Sequence, residues 1–323
     1  MTKICVTGAT GFIGSKLSLK LSELSYNVVA PVRNLGLDLL SLSAKQNLQF
    51  IKIENRTSDI DYSKILRKVD TVIHCAARTH VIKETEKKPD IAYHKINVEE
   101  TLNLASQAAS LGVKRFIFLS SIKVNGEKTF NSESFKHNDV AMPEDAYGIS
   151  KLEAENILME LSDRTGLEIV IIRAPLVYGE GVKGNFLRLL TLINNNIPLP
   201  FANINNIRSL VGLDNLIDLI ICCLDHPKAA GNTFLVSDNE SISTTELIKK
   251  IRRVMGKSPK LFPFPLIIFN LLGRLVGRSN EVNKLLGSLK VDISHTRKVL
   301  GWSPIISLDD GLSKTVQWYL KNQ

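Results

Sequence analysis

The chain is poor in the residues that mark several common protein classes. Four cysteines occur among 323 residues (Cys5, Cys75, Cys222 and Cys223), all among apolar neighbours. None stands in a CxxC or Cys/His spacing, which argues against a disulfide framework or a metal site and for buried, reduced thiols. Aromatic residues make up only 6%. No basic run is interleaved with them, so the usual footprint of a nucleic-acid surface is missing. No stretch reaches the roughly 20 apolar residues that span a bilayer. The nearest, residues 261–276, is interrupted by Pro263, Pro265 and Arg274; it reads as a helix lining a substrate pocket, with an interfacial membrane helix as the other reading. The first residues run straight into a strand pattern without the segments of a signal peptide, so a cytoplasmic location is expected. Neither an internal repeat nor a low-complexity linker divides the chain.

What is present is an ordinary globular composition, 44% hydrophobic and 23% charged, with a net charge of +9. Scattered lysines favour a solvated basic surface or an anionic small substrate over nucleic acid. Short β-branched runs at 3–7, 27–32, 48–53, 71–75, 115–119 and 168–172 alternate with amphipathic stretches at 13–24, 93–111 and 147–164. That rhythm predicts βαβ units around a parallel sheet, an α/β doubly wound fold. After Pro175 the chain changes character, with loops rich in Gly, Asn and Pro at 179–185 and 194–206 and a short helical stretch at 244–255. A dinucleotide-binding unit over 1–174 and a smaller, closely packed substrate lobe over 175–323 are expected, with the chain free to cross between them.

The first predicted strand opens into Gly8-Ala9-Thr10-Gly11-Phe12-Ile13-Gly14 and then a helix. Glycines at this spacing let the turn tighten and let the backbone approach a pyrophosphate, whose charge the helix N–H groups stabilise. NAD-selective enzymes usually end the second strand with an acid that accepts bonds from the ribose. Here that place holds Val32-Arg33, a cation suited to a 2′-phosphate, so NADP(H) is favoured over NAD(H). An arginine pointing into solvent, with NAD still accepted, is the alternative.

Tyr147-Gly148-Ile149-Ser150-Lys151 opens a long helical stretch. Residues four apart share a helix face, so Lys151 is expected near the Tyr147 phenol, lowering its pKa into a usable acid–base range. A surface Tyr and Lys on an amphipathic helix is the blander alternative. Ser120-Ser121 follows the fifth predicted strand, whose carboxyl end faces the cofactor crevice in such folds, and Ser121 is the candidate for bonding the reacting oxygen.

These residues resemble the extended short-chain dehydrogenase/reductase family, in its nucleotide-sugar epimerase/dehydratase branch. The resemblance spans nearly the whole chain and rests on GATGFIG at 8–14, HCAAR at 74–78, INVEET at 96–101, FLSSIKVNGE at 118–127, YGISK at 147–151, RAPLVYGEG at 173–181, RSLVGLDNL at 208–216 and LGWSP at 300–304. It implies a Rossmann-type sheet and a catalytic triad of Ser121, Tyr147 and Lys151. It also implies a cofactor site formed by Gly8, Gly11, Phe12, Ile13 and Gly14, with Ala76, Tyr147 and Lys151 around the dinucleotide; Arg33 stands where the family's acidic ribose ligand is absent. By the same likeness Asn97 supports the active-site helix, and Ser121, Asn185 and Arg208 contact a UDP-sugar, the last two at its diphosphate. Arg278 is a nearby candidate for a further diphosphate arginine, and Leu289 falls where relatives limit the sugar pocket. A homodimer through the two long helices is implied as well.

Dehydratases of this kind carry an Asp-Glu pair directly after the catalytic hydroxyl residue; here Ile122-Lys123 stands there, which disfavours dehydration. Two reactions at carbon 4 of a UDP-hexose remain. One is NADPH reduction of a UDP-4-keto-6-deoxy-N-acetylhexosamine for surface polysaccharide, favoured by Val32-Arg33 and by a finer likeness of SSIKVNGE and YGISK to such reductases. The other is 4-epimerisation with tightly held NAD. A non-catalytic dinucleotide sensor is the alternative of another class, disfavoured because Ser121, Tyr147 and Lys151 are all retained.

Overall fold

The computed structural model describes residues 2–36, 47–53, 60–79, 89–130, 133–265 and 286–323. Ten strands are named in it: β1 (Lys3–Thr7), β2 (Asn27–Val32), β3 (Leu48–Lys52), β4 (Thr71–His74), β5 (Arg115–Ser121), β6 (Glu168–Ala174), β7 (Leu176–Tyr178), β8 (Arg208–Gly212), β9 (Asn232–Leu235) and β10 (Ser241–Ile242). Seven form one sheet in the order β3-β2-β1-β4-β5-β6-β9, and every pairing in it is parallel. The order reverses direction at β1, between β2 and β4, which places a ligand crevice at the carboxyl ends of these strands.

A parallel sheet covered on both faces needs strands apolar on both sides. Alternate residues divide accordingly. Ile4, Val6, Ile73, Ile117, Val170 and Ile172 pack into one core with Leu17 and Leu21 of helix α1 (Phe12–Glu23). Cys5, Val72, Phe116, Phe118, Ile169 and Ile171 pack into the other with Leu104 and Leu158. A third core, containing Tyr178, Phe186, Leu210, Ile248 and Leu312, belongs to the smaller part around the three-stranded sheet β10-β8-β7. β9 lies beyond residue 174 yet completes the large sheet by pairing with β6. The four cysteines carry no disulfide.

Two differences from the sequence reading bear on the site. The single helix expected over 93–111 is Pro89–His94, a π-helical turn Lys95–Glu99, and a helix Glu100–Ser110. One turn with an extra residue keeps the apolar periodicity on either side while turning Asn97 inward, so the periodicity conceals it. β5 runs two residues further than expected, carrying Ser120 and Ser121 within the strand, held by pairing with Arg173 and Ala174. The helix expected from Tyr147 spans Ala146–Thr165, started by an Asp145 cap and stopped at Gly166 with φ +76°. No helix among the described residues is long and apolar enough to cross a membrane, and most of 261–276 lies outside those residues.

Candidate active site

The glycine loop is built for close approach. A Cβ on Gly8 (φ +70°) would stand 2.7 Å from the Ala76 backbone nitrogen, and one on Gly14 would stand 2.3 Å from the Gly8 carbonyl oxygen. No side chain fits at either place, so the loop lies directly against the residues after β4. Helix α1 starts from Gly11 with no side-chain cap and no acid in its first turn. Its leading N–H groups are therefore not taken by a side-chain cap, a donor set that suits a pyrophosphate. Phe12 and Ile13 are half-buried behind the loop, and Arg33 is exposed just past β2. Glycine cradle, helix end and strand-end arginine together fit a dinucleotide.

Ser121 closes β5 and caps the short 3-10 turn Ile122–Val124, its Oγ accepting from the Lys123 N–H at 3.3 Å. Its hydroxyl acts on the Tyr147 phenol, drawing it down. Lys151 is 2% exposed; its ammonium donates to the Leu119 carbonyl at 2.9 Å and lies 4.3 Å from the Phe118 ring centroid. Burial pulls that ammonium down to about 8, against the opposing influence of Cys75 and Glu155. The expected lowering of the phenol is not what its surroundings produce. Burial pushes Tyr147 well above the usual phenol range, the Ser121 hydroxyl opposes this, and Asp145 and Tyr93 push it further up. The spacing of four does place both residues on one helix face, but the lysine chain runs on to the strand carbonyl.

Behind the triad lies a buried scaffold. The Asn97 amide donates to Ser150 Oγ at 2.9 Å and to the Arg78 carbonyl at 3.0 Å, while its oxygen accepts from the Arg78 N–H at 2.8 Å. His74 bridges Thr7 (2.7 Å) and Thr101 (3.0 Å). Since the Thr101 hydroxyl donates to the Asn97 carbonyl at 2.8 Å, it accepts from His74 Nε2–H, which leaves Nδ1 to accept from Thr7. Burial, with Lys151 nearby, depresses this imidazole to about 3, so it stays neutral. Below Ser120, Glu155 holds Arg173 through Nη2 at 2.6 Å, and Arg173 reaches Asn125 at 3.0 Å.

One cation at the site went unanticipated. Lys123, at the dehydratase acid position, donates to Asp145 and to Glu127, the latter at 2.8 Å. Burial works against this ammonium, but its bonds to Asp145 and Glu127 raise it overall. The signals available were the i,i+4 Lys123–Glu127 spacing and an aspartate just before a helix. Arg208 begins β8, half-buried, and donates to the Gly287 carbonyl at 3.0 Å. Burial pulls its guanidinium down, and Glu127, four residues past Lys123, opposes this electrostatically. Leu289, 5% exposed, is bridged to Arg208 through the backbone. Asn185 is exposed in the first turn of Gly184–Asn194. Arg278 lies outside the described residues.

Comparisons with known proteins agree with this architecture. Residues 4–237 match the family model described as NAD dependent epimerase/dehydratase family. A "UDP-glucose 4-epimerase" from Vibrio cholerae is 44% identical over 98% of this chain and 95% of its own. An "N-acetyl-alpha-D-glucosaminyl-diphospho-ditrans,octacis-undecaprenol 4-epimerase" from Escherichia coli O157:H7 is 25% identical over 98% of this chain and 94% of its own. Among solved structures, UDP-glucuronic acid 4-epimerase from Bacillus cereus in complex with NAD superposes with a TM-score of 0.80 at 25% identity, covering 99% of both chains. The chain belongs to the NAD dependent epimerase/dehydratase family of nucleotide-sugar enzymes.

Proposed function

We propose that this protein is a 4-epimerase of a UDP-linked hexose. The observation that carries the reading is the Ser121 hydroxyl acting on the Tyr147 phenol at the carboxyl end of β5, with buried Lys151 on the same helix as Tyr147. Tyr147 exchanges a proton with the oxygen on carbon 4, and Ser121 holds that oxygen as its charge changes. Lys151 supplies a fixed positive charge behind the phenol. A bound nicotinamide dinucleotide supplies hydride acceptance and return. Gly8, Gly11, Phe12, Ile13, Gly14 and Ala76 hold it, and Asn185 and Arg208 take the diphosphate of the sugar nucleotide. Residues 1–174 then serve mainly the cofactor and 175–323 mainly the sugar, in a cytoplasmic homodimer.

The 44% relative named as an epimerase and the NAD-bound Bacillus cereus structure support epimerisation with NAD over the NADPH reduction favoured by the sequence. The reductase is kept as a second reading on one observation: Arg33 stands exposed after β2, where a 2′-phosphate would meet a cation. Product NMR separates the two. Interconversion of UDP-glucose or UDP-N-acetylglucosamine with its 4-epimer, without added cofactor, supports the epimerase. Consumption of a UDP-4-keto-6-deoxy-N-acetylhexosamine only with NADPH selects the reductase. Turnover of neither overturns both in favour of a binding module.

A further inference from the structure

Lys123 stands two residues past Ser121, and Asp145 stands two residues before Tyr147. Their ion pair therefore ties the turn that carries one reacting group to the helix end that carries the other. The ammonium is also held by Glu127 Oε1 at 2.8 Å, and it lies 5.9 Å from the Tyr147 ring centroid. These side chains are largely withdrawn from water, with exposures of 15% for Lys123, 16% for Glu127 and 29% for Asp145. At such exposure a charge left without its partner is poorly screened. Asp145 divides its work between its two oxygens: Oδ1 accepts the Gly148 N–H at 2.8 Å as the helix cap, and Oδ2 takes the Lys123 ammonium.

We propose that Lys123 is a positioning residue for the reaction at Tyr147: its ammonium, clamped between Asp145 and Glu127, locks the Ser121 turn to the start of the Tyr147 helix and screens the Asp145 carboxylate from the phenol. This rests on Tyr147 being the acid–base group. The charged and titratable groups around the phenol are Lys123 from the turn, Asp145 and Lys151 from its own helix, and Tyr93 from the helix Pro89–His94, its ring centroid 6.2 Å away. Arg78 sits over the Tyr93 ring at 5.5 Å, and Glu127 lies beyond Lys123, facing Arg208. Of these, Lys123 and Asp145 form the pair that can be neutralised one member at a time. Because Asn caps a helix as well as Asp does, Asp145→Asn removes the charge and keeps the cap.

The test is the pH profile of kcat/KM in the direction that oxidises the sugar, where Tyr147 must start deprotonated. Lys123→Met unmasks the carboxylate and should move the acid limb upward by about one pH unit, with KM little changed. Lys123→Arg should restore the limb, and Lys123→Met/Asp145→Asn should return it towards wild type. Asp145→Asn alone should move the limb down, and it carries the test if Lys123→Met does not fold. A limb that stays put in Lys123→Met and Asp145→Asn, or a pH-independent loss that Asp145→Asn fails to reverse, overturns the proposal. Tyr147→Phe, measured alongside, keeps the two readings apart. If it retains turnover, the Tyr147 reading itself fails; if it abolishes turnover while the limb stays fixed, only the role of Lys123 fails.

Discussion

The Asn97 amide donates to Ser150 Oγ across 2.9 Å, and Ser150 in turn donates to the Tyr147 carbonyl across 2.9 Å. A residue in a π-helical turn thus holds the first turn of the Tyr147 helix by two consecutive bonds. The same amide clamps both backbone groups of Arg78, in the loop after β4 that meets the glycine cradle. The loop after β4 and the Tyr147 helix therefore share one buried anchor, 1% exposed.

Replacing that anchor should cost more than an ordinary buried amide. Asn97→Leu takes the amide from the Arg78 N–H and carbonyl, each worth roughly 1–3 kcal/mol when buried unpaired, while the Ser150 hydroxyl keeps its bond to the Tyr147 carbonyl. Urea unfolding should show a loss of at least about 2 kcal/mol, and turnover should fall with it. A variant as stable as wild type would mean that the π-helical turn is not what fixes the helix.

The Ser121–Tyr147 pair gives the second expectation. Removing the phenolic hydroxyl in Tyr147→Phe should lower kcat by about 10²–10⁴-fold, the range for loss of a general acid–base. Ser121→Ala should cost about 10²–10³-fold, as loss of one donor to the reacting oxygen. Substrate KM should change little in either. Steady-state rates with a UDP-hexose decide this; a Ser121→Ala variant with wild-type kcat would remove the serine from the chemistry.

The strands were legible because burial on both faces writes itself as β-branched runs: β1 and β2 fall on their expected residues. The glycine loop was legible for a related reason, since Gly8 and Gly14 face backbone atoms at distances no Cβ tolerates. The site's support was not. His74, Thr101 and Glu155 meet partners from distant strands and helices, so no local spacing announces those bonds. Lys123 looked like a missing dehydratase acid, and only the fold shows it meeting Asp145 and Glu127. The Lys151 ammonium shows the limit of spacing arguments: the face was right, and the atom it bonds was a strand carbonyl.

Arg33 bears on cofactor choice. It stands exposed just beyond β2, where a guanidinium can pair with a 2′-phosphate but has nothing to gain from a ribose hydroxyl. Arg33→Ala should weaken NADPH binding by about tenfold and leave NADH within about twofold, as measured by fluorescence titration. Equal effects on the two would show that this side chain does not discriminate between them, and would withdraw the structural feature on which the reductase reading is kept.

His74 makes a prediction about pH and stability. The imidazole is buried and neutral, its pKa depressed from 6.5 to about 3, while in the unfolded chain it titrates near 6.5. Above pH 6.5 it is neutral in both states, so the native state keeps its full advantage. As pH falls from 6.5 towards 3, the unfolded chain binds a proton that the folded one refuses, and stability drops by about 1.4 kcal/mol per pH unit from this group alone. Below about 3 the native imidazole also protonates and the slope vanishes. His74→Asn, whose amide can still accept from Thr7, removes the titration. Denaturant unfolding followed between pH 7.5 and 5 should therefore show a shallower decline in the variant, even though its stability at pH 7.5 is lower. Parallel declines would mean that the histidine is charged, or exposed, in the folded protein, and the hydrogen-bond chain from Thr7 to Asn97 would have to be redrawn.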